Sequence, residues 1–163
     1  MKVPVRIYTE LAHEHGLPVY AHQGDSGMDI RANEAIHLQP KETKLIPTGV
    51  FVGLPEDYEI QVRPRSGMSL KTKFRICNSP GTVDSCFLGE ICIIAENTHS
   101  TVGMHIAKGE RIAQIVLQYV PRITWLPVDS KEKLGRTVRG FMKFNLHKYM
   151  SEARCAAEPS KEK

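Results

Sequence analysis

Short β-branched runs, cut again and again by Pro and Gly and with almost no helical periodicity between them, narrow the fold of this chain more than any other feature. "TKLIPTGVFVGLP" (43–55), "YEIQVRP" (58–64), "GEICIIAEN" (89–97) and "RIAQIVLQYVPRITWLPV" (111–128) alternate or cluster strand formers between these breakers. Strand runs without intervening amphipathic helices build a sandwich, jelly roll or barrel, not βαβ units. Before the tail, the best short-helix candidate is "SGMSLKTKF" (66–74). At 163 residues and 41% hydrophobic content the chain buries one sizeable core, and a second full domain does not fit. No internal repeat is visible. After Asn145 the composition shifts to "LHKYMSEARCAAEPSKEK", where 146–157 can form a helix and the final residues are expected to be disordered.

Charge and cysteine usage exclude several function classes. Lys+Arg total 22 against 18 Asp+Glu, a net charge of +4, which lacks the dense basic stripe of a nucleic-acid binder and suits a polyanionic small molecule. Cys77, Cys86, Cys92 and Cys155 show neither Cys-x-x-Cys spacing nor disulfide-scaffold density, and "MKVPVRIYTELAHEHG" lacks the apolar core of a signal peptide. Reduced thiols in a cytoplasmic protein, or a nuclear one in a eukaryotic or viral setting, are therefore expected. No apolar run approaches the roughly 18 residues that span a bilayer, so no membrane partner is expected. His13 and His15 in "AHEHG" share a strand face if extended, but without a third ligand nearby they read as a solvated loop. Trp125 reads as a core or subunit-interface anchor.

The polar punctuation inside the apolar runs is where chemistry is expected. "RICNSPGTVDSCFLGEICII" (75–94) is patterned like a sheet hairpin, yet places Asn78, Pro80-Gly81 and Asp84 at its most apolar point. Four stretches set Gly beside a charged or hydroxyl residue: "SGMDIRA" (26–32), "PRSGMSLK" (64–71), "GTVDSCFLGE" (81–90) and "GERIAQ" (109–114). One at a time these are ordinary turns. In their order, contents and spacing they resemble the successive motifs of the trimeric dUTPase family, over about residues 20–120.

That resemblance implies an all-β, distorted jelly-roll (β-clip type) domain with one short helix, assembled as a homotrimer. Its expected activity is Mg2+-assisted hydrolysis of dUTP to dUMP and pyrophosphate at sites built between subunits. It divides the chain into a β domain (1–135), a closing arm (136–145) and an extension (146–163). By the same resemblance Asp84 orients and deprotonates the attacking water, and Asn78 meets the uracil edge. Arg65, Ser66, Gly67 and Gln114 contact the phosphate chain, and Asp29 reaches the metal's water shell. Phe87 stands where the family usually has Tyr, keeping the ring that packs on deoxyribose without its hydroxyl. The arm departs from the family's Gly-rich pattern. "GRTVRGFMKFNLHK" retains either Arg136 with Phe141 or Arg139 with Phe144, and the spacing from "GERIAQ" favours Arg136 and Phe141.

The residue types suit this chemistry in their own right. Uracil offers two carbonyl acceptors around one N–H donor, cytosine reverses part of that pattern, and a site left with unpaired polar groups rejects the wrong base by orders of magnitude. Gly81, without a side chain, permits the close backbone approach that excludes a methylated base. Arg65 and Arg136 supply planar forks for phosphate oxygens, and Ser66 can donate to the leaving oxygen or cap the short helix. An interior Asp84 would have its pKa raised toward neutrality. Two other readings stay open: a trimeric nucleotide-binding or regulatory protein of this fold with weakened catalysis, and a deaminase of the related dCTP-processing branch.

Overall fold

The structure, a computed structural model, describes residues 2–134. The arm residues Arg136, Arg139, Phe141 and Phe144, the expected tail helix and Cys155 lie outside the described residues. The chain divides into two compact units, the first ending at Ile123.

The first unit is a β-sandwich of jelly-roll type. Its main sheet runs β2 (Met28–Arg31), β11 (Arg111–Tyr119), β6 (Tyr58–Arg63), β8 (Gly81–Val83). A second sheet orders β4 (Thr43–Ile46), β9 (Ile93–Asn97), β7 (Phe74–Ile76). Two-stranded ribbons pair β1 (Arg6–Thr9) with β5 (Val50–Gly53), and β3 (Ile36–Leu38) with β10 (Met104–Ile106). Every strand pairing is antiparallel. Period-two alternation decides which face is buried: Ile60 and Val62 of β6 point inward while Glu59, Gln61 and Arg63 line the outer face. Ile30, Leu38, Ile46, Ile91, Ile93, Ile106 and Ile112 are fully buried. At about 1.5–3 kcal/mol per buried aliphatic side chain, this set holds the sandwich shut. Asn97 is also fully buried, and its Nδ2 donates to the carbonyls of Leu38, Gln39 and Val102, so its burial leaves no orphaned amide.

The "TKLIPTGVFVGLP" run breaks at Pro47-Thr48-Gly49, and its halves enter different sheets as β4 and β5. One expectation needs correction: the "RICNSPGTVD" stretch is not a hydrogen-bonded hairpin. β7 pairs with β9 and β8 with β6, so residues 77–80 carry the chain from one sheet to the other. The Pro-Gly turn chemistry is real, but long-range partners claim the strands on both sides of it.

The short helix α1 spans Ser66–Lys71, three residues shorter than the sequence suggests. Thr72 ends it: its backbone N–H and hydroxyl both bond Met68 O, and Phe74 already belongs to β7. Beyond Ile123, the second unit carries a 3-10 turn at Lys131–Leu134 and a Lys133–Asp129 ion pair of 2.8 Å. Trp125, in this unit, is 81% exposed and forms no part of the core.

Candidate active site

Asp29, Gln114 and Arg63 form a row across three strands. Gln114 lies opposite Asp29 on one side and Arg63 on the other, so all three side chains share the outer face. Gln114 Nε2 donates to Pro64 O at 2.7 Å, fixing the chain just before Arg65. Arg65 Nε donates to Asp29 Oδ1 at 2.7 Å, and Arg111 Nη1 donates to Asp29 Oδ2 at 3.2 Å. Asp29 thus uses both oxygens to orient two guanidiniums. Arg65 is thereby held in place, its Nη1 also within 3.4 Å of Arg111 O. Gly27 closes the row, since a Cβ there would fall 2.7 Å from Gln114 Oε1. A cavity of about 260 Å³ opens beside these groups, lined by Asp25, Ser26, Gly27, Asp29 and Gln114.

Arg111 was missed in the sequence. The register between β11 and β2 shifts between Arg111 and Ala113, so Ile112 and Ala113 are both buried in succession while Arg111 stays exposed near Asp29. A bulge of this kind re-aims one side chain without ending the strand, and strict alternation does not foretell it.

Ser66 and Gly67 occupy the first turn of α1, both exposed, and a Cβ at Gly67 would meet nothing within 4 Å among the described residues. The N-cap is Arg65, with no side-chain cap bond, so Ser66 is not the cap and its hydroxyl faces outward from the first turn.

Asn78 lies in the turn that leads into β8, and Gly81 opens that strand. Gly81 lies opposite Val62, and a Cβ on it would come 3.2 Å from Asn78 Nδ2 and 3.3 Å from Val62 Cβ. Glycine therefore leaves the Asn78 amide room to fold over the strand end. Asp84 follows β8 directly and is exposed, not interior as the sequence suggested. Phe87 N donates to Asp84 O at 3.0 Å, closing a turn that joins the two residues, with Phe87 43% exposed. Gly89 admits its ring: a Cβ there would stand 2.8 Å from Phe87 Cζ.

Strand β6 measures the distance between these two groups. Val83 pairs with Ile60, which sets Asp84 beside the N-terminal end of β6, whereas Arg65 lies beyond its C-terminal end. About 20 Å of extended backbone separates them. One chain does not bring Asp84 to the Arg65–Asp29–Gln114 group.

For a divalent metal, the donor set is informative. Both Asp29 oxygens already accept from arginines, and among the described residues no group of three His, Cys, Asp or Glu can hold a metal ion. These residues do not fit a protein cage, and suit a Mg2+ that would arrive on phosphate oxygens and keep its waters. The His13 and His15 rings lie 5.5 Å apart, tilted by 44°, with His13 Nδ1 buried and without a partner among the described residues. Burial first, then His15, Arg31 and Lys108, lowers the His13 pKa, and this cationic surrounding opposes a metal. Burial, and then the Glu90 carboxylate, pushes the Cys92 thiol up to about 11.

Sheets of this order, with Gly-marked polar loops at the strand ends, define a jelly-roll protein. The chain belongs to the dUTPase family, whose model matches residues 13–144; it is by that membership a nucleotide hydrolase. It is 46% identical over 125 residues to the deoxyuridine 5'-triphosphate nucleotidohydrolase of Leifsonia xyli subsp. xyli, covering 77% of this chain and 82% of that one. The enzyme of the same name from Fusobacterium nucleatum is 43% identical over 142 residues, covering 86% and 95%. Among solved structures, the dUTPase of Staphylococcus bacteriophage 80alpha superposes with a TM-score of 0.70 at 27% identity, over 79% of this chain and 98% of that one.

Proposed function

We propose that this chain hydrolyses dUTP to dUMP and pyrophosphate, at sites assembled between the copies of a homotrimer. The separation along β6 carries the reading. A phosphate-binding group and a carboxylate base lie at opposite ends of one strand, and each is completed by the other's counterpart on a second copy.

In that site Asn78 and the backbone beside Gly81 read the uracil edge, and the Phe87 ring packs against the sugar. Arg65, held by Asp29, directs its remaining N–H groups at phosphate oxygens, with Gln114 and the Ser66 hydroxyl beside it. Mg2+, brought by the triphosphate, would supply charge neutralisation there, with Asp29 at its water shell. Asp84 accepts a proton from a water whose oxygen forms a bond to the α-phosphorus; the bond from that phosphorus to the α–β bridging oxygen breaks, pyrophosphate leaves with that oxygen, and the Ser66 O–H donates a hydrogen bond to it. An exposed Asp84 is matched to this role only once a neighbouring copy and the substrate cover it. Arg136 and Phe141 would close the site from the arm, with charge at the phosphate end and an aromatic face at the base.

Pyrophosphate release from dUTP, dCTP and dTTP, with and without Mg2+, tests the reading. Turnover confined to dUTP and dependent on Mg2+ supports it. Nucleotide binding without turnover would favour a binding or regulatory protein of the same fold, a reading that rests on Met142, Lys143, Phe144 and Asn145 where the family arm carries Gly and hydroxyl residues. Ammonia release from dCTP would favour a deaminase.

A further inference from the structure

We infer that Glu90 is a positioning residue for the reaction, anchoring the loop that carries Asp84 and Phe87; this rests on the hydrolase reading above. One carboxylate oxygen, Glu90 Oε1, accepts from both Thr48 N at 2.9 Å and Gly49 N at 2.6 Å. These amides belong to the turn where the chain leaves β4 and enters β5, so the turn itself has no strand partner to satisfy them. Two further bonds join the same segments: Ile91 N donates to Val50 O, and the Thr48 hydroxyl donates to Ile91 O.

The turn makes a fixed anchor. Gly49 has φ +67°, and a Cβ there would lie 2.7 Å from Glu10 O and 2.8 Å from Asn33 Nδ2. Glu10 N donates to Gly49 O, and Asn33 N donates to Pro47 O, so the turn is gripped from the opposite side as well. By contrast, the loop from Asp84 to Gly89 has little of its own to hold it. Asp84, Cys86, Phe87 and Leu88 are exposed, and the Phe87–Asp84 turn is its one internal backbone bond among the described residues. Its position is set by its two roots: β8, paired to β6, and Glu90, whose backbone bridges Phe51 of β5 and whose side chain is clamped to the 48–49 turn. Asn78 and Gly81 lie before the first root, so the clamp acts on the base and the sugar contact and not on uracil reading.

Three variants with steady-state kinetics and thermal melts test this. In E90A the two amides lose their acceptor, and kcat for dUTP falls roughly 10- to 100-fold, with KM within about threefold and the dUTP-over-dCTP preference kept. In E90Q the amide oxygen still accepts both N–H groups, and kcat stays within about threefold of wild type. E90D keeps the charge but is one methylene too short, and loses kcat as E90A does, which preserves the test if E90A does not fold. Folded E90A or E90D with wild-type kcat overturns the inference, as does an E90Q loss equal to that of E90A. A wild-type protein inactive on dUTP would instead refute the hydrolase reading, independently of Glu90.

Discussion

Replacing Asp29 by Asn probes the cationic half of the site at its centre. The carboxylate accepts from Arg65 Nε at 2.7 Å and from Arg111 Nη1 at 3.2 Å, with side chains 30%, 25% and 51% exposed respectively. Asn keeps one acceptor and turns the other position into a donor facing a guanidinium, so one bond is lost outright and the other loses its charge assistance. Hydrogen bonds to charged groups contribute about 1.5–3 kcal/mol, and partial exposure screens these toward the lower end. We therefore take about 1–2 kcal/mol as the cost of releasing Arg65 from its aim, which is roughly a 5- to 30-fold fall in kcat. The substitution also removes a negative charge beside a triphosphate, which favours ground-state binding of the anion. The expected signature is thus lower kcat with KM unchanged or reduced, read by continuous pyrophosphate release at saturating Mg2+. An unchanged kcat, or a raised KM with kcat intact, would show that Asp29 does not act through Arg65.

Asp84→Asn should retain nucleotide binding, measured calorimetrically with a non-hydrolysable analogue, while losing roughly a hundredfold or more in kcat, since the amide keeps the shape but cannot take a proton. Wild-type turnover in the purified variant would reject the base assignment. His13 gives a stability prediction: its folded pKa lies below 6.5, so the unfolded chain binds more protons and stability rises with pH. Its contribution is complete above pH 6.5 and is lost as the pH falls below 6.5 through the folded value. Melting temperatures between pH 7.5 and 5 should drop further for wild type than for His13→Gln, and parallel slopes would remove His13 as the cause.

The sequence disclosed the parts of the site more fully than their arrangement. Ile60 and Val62 announce a half-buried strand by alternation alone, and the family resemblance that the Gly-marked motifs carry implies Asp29, Arg65 and Gln114 before any geometry is known. Their mutual contacts were not legible, because the Arg65–Asp29 bond joins residues 36 apart and depends on which strands neighbour β11. Arg111 stayed hidden behind a bulge that breaks the alternation used to find strands. At Pro80-Gly81 the local signal misled, since turn chemistry specifies a change of direction and not the partner of the strand that follows. Glu90 closes one of the Gly-marked stretches, but nothing local tells what it holds: its partners lie 41 and 42 residues away in a turn whose need for an acceptor appears only when β4 and β5 enter different sheets.

The length of β6 has a genetic consequence. If Asp84 and Arg65 always serve different sites, two inactive proteins, Asp84→Asn and Arg65→Ala, carry complementary defects. Unfolding and refolding an equal mixture would scramble the copies, and random assortment would give about a quarter of the sites an intact Asp84 from one parent and an intact Arg65 from the other. Activity would then be restored from two dead samples, and two damaged alleles expressed together would support a cell that neither supports alone.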